Sequence, residues 1–471
     1  MAGSDRSADC QSPATLGKPM MEWRTCVMVL LLILVQRAIA EGTVTIIQPH
    51  ITHNQTREAY GQPFRGLNRE DQARFFRGRH LFRQSWVIAP ASDTLVGLGP
   101  LYNRIACVSC HPKNGRGRAP EEAGERMQSM LVRLSVPGKS ATAGPKPHPV
   151  YGTQLNEEGV PGVPGEGRAQ VVWEYHTHIL ADGTPVRLRK PSIRFSELGY
   201  GKLKPVLTSA RIGPAVFGLG LLEAVSDEDL LAMAQQPKPD GITGKVNRVW
   251  DIASQQTRIG RFGAKANVAS LRSQIAEAMH NDLGITSNLL PRENCQPRQH
   301  ACRQAPSGGS PELSDTQLDD LEFYFRHIAV PAQRNTDATD VISGEKIFAD
   351  IGCAICHKPQ LQTAKDYPHT TLANLSLQPY TDLLLHDMGE GLADQRPDFL
   401  ASGREWRTPP LWGIGLTESI SEYQAYLHDG RAQTLTEAIL WHGGEAKKSR
   451  DRYQQLPRRK REQLEQFLLS L

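Results

Sequence analysis

Hydrophobic and polar positions change period several times along this chain. The first feature is a ten-residue apolar run from Cys26 to Val35. It is too short for a bilayer core, which needs about 20 residues. Arg24 precedes it, and the small-residue stretch Ala38-Ile-Ala40 follows. This is the pattern of a signal peptide covering residues 1–40, and it predicts an exported, periplasmic protein. The polar stretch ahead of the run is long for a leader, so Met20 and Met21 are alternative starts to Met1. An uncleaved anchor is the competing reading. No later segment approaches a membrane span, so none is expected once the leader is removed.

From residue 42 to about 125 the apolar residues, among them Phe75, Phe76, Leu81, Phe82 and Trp86, predict mainly helix. Met130 to Val136 then alternates with a period of two, as a strand does. Residues 159–168 are rich in Gly and Pro and predict a loop. Val171–Ile179 and Pro185–Leu188 flank Asp182-Gly183, a hairpin signal. A β-containing insertion is therefore expected at about 126–205. Helical pattern returns near 211–234 and 264–282. Over 314–330, Ser314 and Gln317 form a capping box, Leu318, Leu321, Phe325 and Ile328 line one face, and Pro331 ends the helix. Near the C-terminus Thr434 and Glu437 start a short helix to Trp441. The last helix, about 457–471, carries Leu464, Phe467, Leu468 and Leu471 on one face. Its basic run, Arg458 to Arg461, reads as a solvated face.

Length and composition narrow the class. With 471 residues, 39% hydrophobic and 22% charged, the chain is globular and large enough for two or three domains. Its 54 basic and 50 acidic residues nearly balance, at a net charge of +4. That gives no concentrated basic face for nucleic acid.

The chemistry lies in the eight cysteines. Cys10 and Cys26 fall in the leader. Cys295 and Cys302 share a loop and predict a disulfide. The other four form Cys107-Val-Ser-Cys110-His111 and Cys353-Ala-Ile-Cys356-His357. Random placement predicts on the order of 0.004 copies of C-x-x-C-H in such a chain. Two thiols three residues apart can each form a thioether with a haem vinyl group, and the next imidazole is then the axial ligand of the iron. Two covalently bound c-type haems are predicted, with His111 and His357 on the irons. A zinc site would need four ligands at closed spacing, which neither stretch offers. Before the second stretch a helix is expected, with Ser343 as its N-cap. The two stretches are far apart, which argues for two haem domains. The fold class expected is mainly α. Residues 41–330 would form an N-terminal cytochrome c-like domain carrying the β-containing insertion, and 335–471 a C-terminal one.

The sixth ligand separates carrier from catalyst. For the second haem the candidates are His442, His428 and Met388. For the first, His148, His176, His178 and Met130 lie downstream with no distinguishing context, and an open iron is an equal expectation.

Further stretches carry a resemblance. They are Gly97-Leu-Gly-Pro-Leu-Tyr-Asn103, Asn114-Gly-Arg-Gly117, Gly218-Leu-Gly-Leu-Leu-Glu-Ala224, Gly260-Arg-Phe-Gly-Ala-Lys-Ala266 and Asp282-Leu-Gly-Ile-Thr286. The second half adds Leu384-Leu-His-Asp-Met-Gly389, Trp406-Arg-Thr-Pro-Pro410 and His428-Asp-Gly-Arg431. Together with the two C-x-x-C-H stretches they make the chain resemble the di-haem oxidoreductase family, whose members are labelled peroxidases or thiol oxidoreductases. That family is related to the di-haem cytochrome c peroxidases and to MauG-type enzymes. In those peroxidases a distal methionine follows the His-Asp-Gly motif, and the same spacing from His428 lands here on His442. The resemblance thus implies a His/His second haem, with a lower potential than His/Met ligation confers. The peroxidases also place a histidine shortly after the first haem histidine. This chain has none between His111 and His148, so the resemblance implies an open first haem of the MauG type. Trp86 is a candidate inter-haem tryptophan.

The expected function is peroxidase-like: electrons from a small redox protein or another donor enter at the C-terminal haem, and peroxide or another small oxidant meets the N-terminal one. The alternative is an electron-transfer cytochrome with both irons six-coordinate. Glu174, His176 and His178 are the acid/base candidates. Calcium sits between the haem domains of the related peroxidases, and no residue pattern in this chain supports it. A thiol oxidoreductase activity is not supported either, because haem would consume the four site cysteines.

Overall fold

The structure is a computed structural model that describes residues 48–92, 95–122 and 124–471. The expected leader, with Cys10, Cys26 and the alternative starts, lies outside the described residues. Among the described residues no helix is long and apolar enough to cross a membrane.

Among the described residues the structure is about 30% helix and 20% strand. Its strands form six two-stranded sheets and one three-stranded sheet among the described residues. The expectation of a mainly-α protein made of two cytochrome c-like domains is therefore overturned. The physical cause is legible in retrospect. The chain carries 41 glycines and 32 prolines, and both interrupt helical hydrogen bonding. Between residues 48 and 125 the apolar positions sit mostly in turns and short 3-10 segments. Helix α1 (Arg69–Arg83) is the one α-helix described there. It starts at Asn68, whose side chain accepts the Asp71 N–H.

The period-two stretches fold as strands. Strand β1 (Met130–Lys139), hairpin strands β2 (Arg168–Ile179) and β3 (Pro185–Ser196), and β4 (Leu207–Ile212) follow in order. β1 pairs antiparallel with β4, from Met130 opposite Ile212 to Ser135 opposite Leu207. β2 and β3 pair without a register break, from Arg168 opposite Ser196 to Ile179 opposite Pro185. Their turn uses Gly183 at φ 84°, a backbone conformation that glycine adopts without strain.

Four further helices frame the sites: α2 (Leu271–Leu283), α3 (Asp315–Arg326), α4 (Thr339–Asp350) and, after a six-residue helix α5 (Leu435–Leu440), α6 (Arg458–Ser470). The Ser314–Gln317 capping box opens α3, with both reciprocal bonds present. α4 begins at Thr339 with Ala338 as its cap, so Ser343 lies inside the helix and caps nothing.

One packing scheme occurs twice. Gly78 in α1 lets α3 approach so closely that a Cβ there would collide with the Asp320 carbonyl. Gly344 in α4 does the same against Gln463 of α6. Aromatic rings close each crossing: Phe82 packs 5.6 Å from Tyr324, and Phe348 packs 5.3 Å from Phe467. The halves also interlock. Leu361, Leu383 and Trp412 join the apolar cluster of the first half, while Leu180 and Leu188 of the hairpin join that of the second. Residues 49–471 accordingly gather into one compact unit.

Candidate functional site

Both C-x-x-C-H stretches fold into the same tight turn. Cys107–Ser109 and Cys353–Ile355 are single 3-10 turns, and the N–H groups of His111 and His357 each donate to the carbonyl of the first cysteine at 3.0 Å. The four thiols are free. Each histidine is then fixed from behind. His111 Nδ1–H donates to the Pro214 carbonyl at 2.7 Å, and His357 Nδ1–H donates to the Tyr380 carbonyl at 2.9 Å. A carbonyl only accepts, so each ring keeps Nε2 as a lone pair. That is the tautomer a metal-bound histidine needs. Burial lowers both pKa values, that of His357 to about 4. Both side chains nonetheless keep accessible surface, so they line internal space and are not sealed in the core.

The supports come from distant sequence. β1 and β4 deliver Gly213-Pro214 to the first turn: Gly213 N–H donates to Ser129 O, and its carbonyl accepts from Gly117 N–H. A Cβ on Gly213 would lie 2.5 Å from the Cys110 carbonyl. The strand-rich segment thus holds the first imidazole in place. At the second turn the ring of Tyr380 packs edge-on to Phe348 and Phe467, 6.0 and 5.7 Å away. Two thiols and an imidazole with a free Nε2, present twice, are a donor set that fits two haems.

His442 follows α5, which Thr434 caps by accepting the Glu437 N–H at 3.1 Å. Its Nδ1–H donates to Ala438 O at 2.7 Å, again leaving Nε2 free. His442 is near enough to His357 to lower its pKa electrostatically. Of its rivals, His428 is engaged elsewhere. His428 stacks on Trp406 with ring centroids 3.3 Å apart. Met388 lines a cavity of about 440 Å³ beside Trp441 and Arg450.

Near the first turn the picture differs. The groups acting on His111 are the Pro214 carbonyl and Asp282, with no second imidazole. His148 Nδ1 accepts two N–H groups of its own turn, from Val150 and Tyr151. Met130 is buried with Met127 and Ile212. Glu174, His176 and His178 lie on the hairpin. The two histidines line the cavity beside Trp441, in the second half and away from the first turn. Trp86 is buried in the first-half core. Cys295 and Cys302 are joined as a disulfide with Cα atoms 5.7 Å apart.

Two groups escaped the reading of the sequence. His386 is buried between Asp382 and Glu445, at 3.0 and 2.8 Å, with Cys356 Sγ 3.7 Å from its Nδ1. Burial opposes charge there, but the hydrogen bonds to Asp382, Cys356 and Glu445 prevail and push its pKa up to about 12. An imidazolium therefore adjoins the second site. Its signal was its place in Leu384–Gly389. Glu277 sits on α2, whose Asp282 carbonyl accepts the N–H groups of Asn103 and Arg104 ahead of the first turn. Burial, partly offset by Arg133, pushes its carboxyl up to about 7. A glutamate on an otherwise ordinary helix carries no sequence signal.

Residues 38–471 match the family described as "Di-haem oxidoreductase, putative peroxidase". No curated protein and no solved structure matches the chain significantly. With the family match spanning nearly the whole chain and two duplicated thiol–imidazole turns inside it, the chain belongs to the di-haem oxidoreductase family.

Proposed function

We propose that this chain is an exported, periplasmic di-haem c-type oxidoreductase with peroxidase chemistry. Cys107, Cys110 and His111 would hold one haem in the N-terminal half. Cys353, Cys356 and His357 would hold the other in the C-terminal half, together with His442. A bound haem supplies one-electron transfer and, where the iron has an open position, a place for a small oxidant. A small redox protein or other donor delivers electrons at the C-terminal site, and peroxide or another small oxidant is reduced at the N-terminal one. One peroxide becomes two waters by taking two electrons from the donor and two protons. Glu277, whose carboxyl burial lifts to about 7 and whose helix α2 holds the segment ahead of the first turn through the Asp282 carbonyl, is the group assigned to move a proton there.

The observation that carries this reading is the asymmetry of the two imidazoles. His357 has His442, with a free Nε2, within electrostatic reach, whereas only a carbonyl and a carboxylate act on His111. The test is an EPR spectrum of the ferric holoprotein, followed by steady-state turnover with peroxide. One high-spin and one low-spin signal, with turnover faster than that of free haem, are expected. Two low-spin signals without turnover would replace the reading with that of an electron-transfer cytochrome.

A further inference from the structure

We propose that the cavity beside Trp441 is an electron-entry site for a small hydroxylated aromatic donor of the hydroquinone type. The inference rests on the two-haem reading above and names the donor that feeds its C-terminal site.

The cavity holds about 440 Å³, which suits a small molecule and not a redox protein. No residue of the turn at 353–357 lines it, and neither does His442. Trp441 joins the two places: it lines the cavity and immediately precedes His442 in the chain.

The walls divide by chemistry. Leu188, Met388, Leu440 and Trp441 supply an apolar, aromatic side. The Arg431 guanidinium packs 4.6 Å from the centroid of the Trp441 ring and holds the indole in place. His176 and His178 supply the polar side. They stand two apart on β2, so their side chains share one face of the strand. Gln454 Oε1 accepts from His178 Nε2–H at 3.0 Å, which leaves Nδ1 as a lone pair. The His176 ring meets Trp441 edge-on with centroids 5.4 Å apart, and it has no hydrogen-bond partner among the described residues. Two imidazoles thus stand as proton acceptors beside one aromatic wall.

This pairing selects the donor. An aromatic ring packs well on apolar and aromatic surface. A hydroquinone loses two electrons and two O–H protons and becomes a quinone. The electrons are the two that reduction of one peroxide consumes, and the protons pass to His176 and His178. Hydroquinone and peroxide together therefore give quinone and two waters. An acceptor at each hydroxyl keeps the half-oxidised donor from holding a positive charge, which eases the release of each electron. A donor of electrons alone would have no use for the two imidazoles.

The experiment uses the ferric holoprotein. A pyridine haemochrome assay first counts haems; fewer than two defeats the two-haem reading and this inference with it. With two haems present, calorimetry with trimethyl-1,4-benzoquinone reads binding without turnover. Anaerobic stopped-flow absorbance then reads haem reduction by trimethylhydroquinone. Saturable binding and saturable reduction are expected. Gly391 also lines the cavity, and a Cβ there would lie 3.4 Å from the Trp441 ring. Gly391→Leu should fill the space and abolish both. H176Q/H178Q should keep the binding but slow the reduction by about 100-fold, with the EPR spectrum unchanged. Absence of binding and of saturable reduction in the wild type overturns the proposal, as do variants that behave like the wild type. A long-chain quinol in phosphatidylcholine vesicles distinguishes a membrane-borne donor from a free one, and saturable reduction by either supports the site.

Discussion

At the scale of single residues, the main-chain carbonyls of Pro214, Tyr380 and Ala438 do what no sequence motif records. Each takes the Nδ1–H of one histidine, so His111, His357 and His442 all present Nε2 as a lone pair. A histidine free to choose its tautomer would divide between two forms and bind metal less well. Glu277 is one residue whose proton affinity lies near working pH, because burial lifts it to about 7. If it moves a proton during turnover, activity should rise as pH increases through about 7 and Glu277 becomes able to accept a proton. Glu277→Gln should remove that limb and lower peroxide turnover by about 100-fold or more, with the EPR spectrum unchanged. A pH–rate profile of the two proteins checks this, and an unaltered profile would take Glu277 out of the reaction.

At the scale of elements, the repeated crossing of α1 over α3 and α4 over α6 places each helix ahead of its haem turn. Gly344 makes the second crossing close enough for Phe348 and Phe467 to touch. Gly344→Ala would improve helix propensity but force the helices apart. Overpacking of this kind costs about 1–3 kcal/mol, so the melting temperature should fall. A stabilised variant would show that the crossing yields easily. Elements differ in how plainly their residues announce them. The hairpin is visible in its period of two and its Asp-Gly turn, and α3 in its capping box, because those signals are local. The stretch from 48 to 125 misleads because Phe64, Trp86 and Leu98, buried by long-range contacts, lie outside α1. Mixed α and β structure is what results when short apolar segments find partners across the chain.

At the scale of the whole molecule, Glu445 is a staple between the halves. It accepts from Thr243 N–H and Oγ1 at 3.0 Å each, from Gly244 N–H at 3.3 Å, and from His386 at 2.8 Å. Burial opposes its charge, but the bonds from His386 and Thr243 hold its carboxyl down to about 2 from 4.5. A lowered carboxyl contributes stability that is present above its unfolded value and lost as pH falls through its folded one. Stability should therefore decline between about pH 4.5 and 2. Glu445→Gln should flatten that part of the curve while lowering stability at neutral pH. Chemical denaturation at several pH values distinguishes this from a variant that leaves the acid limb unchanged.

What the sequence determined by itself is the chemistry that neighbouring residues share. The C-x-x-C-H turns, the paired cysteines of the 295–302 loop, the hairpin and the helix caps all depend on residues within a few positions of one another. The tertiary structure alone decided the rest. It set the balance of helix and strand and placed His442 near His357. It brought His386 to the second turn, beside Cys356. These juxtapositions join residues tens of positions apart. Burial and charge, the quantities that set their chemistry, exist only once the chain has closed around them.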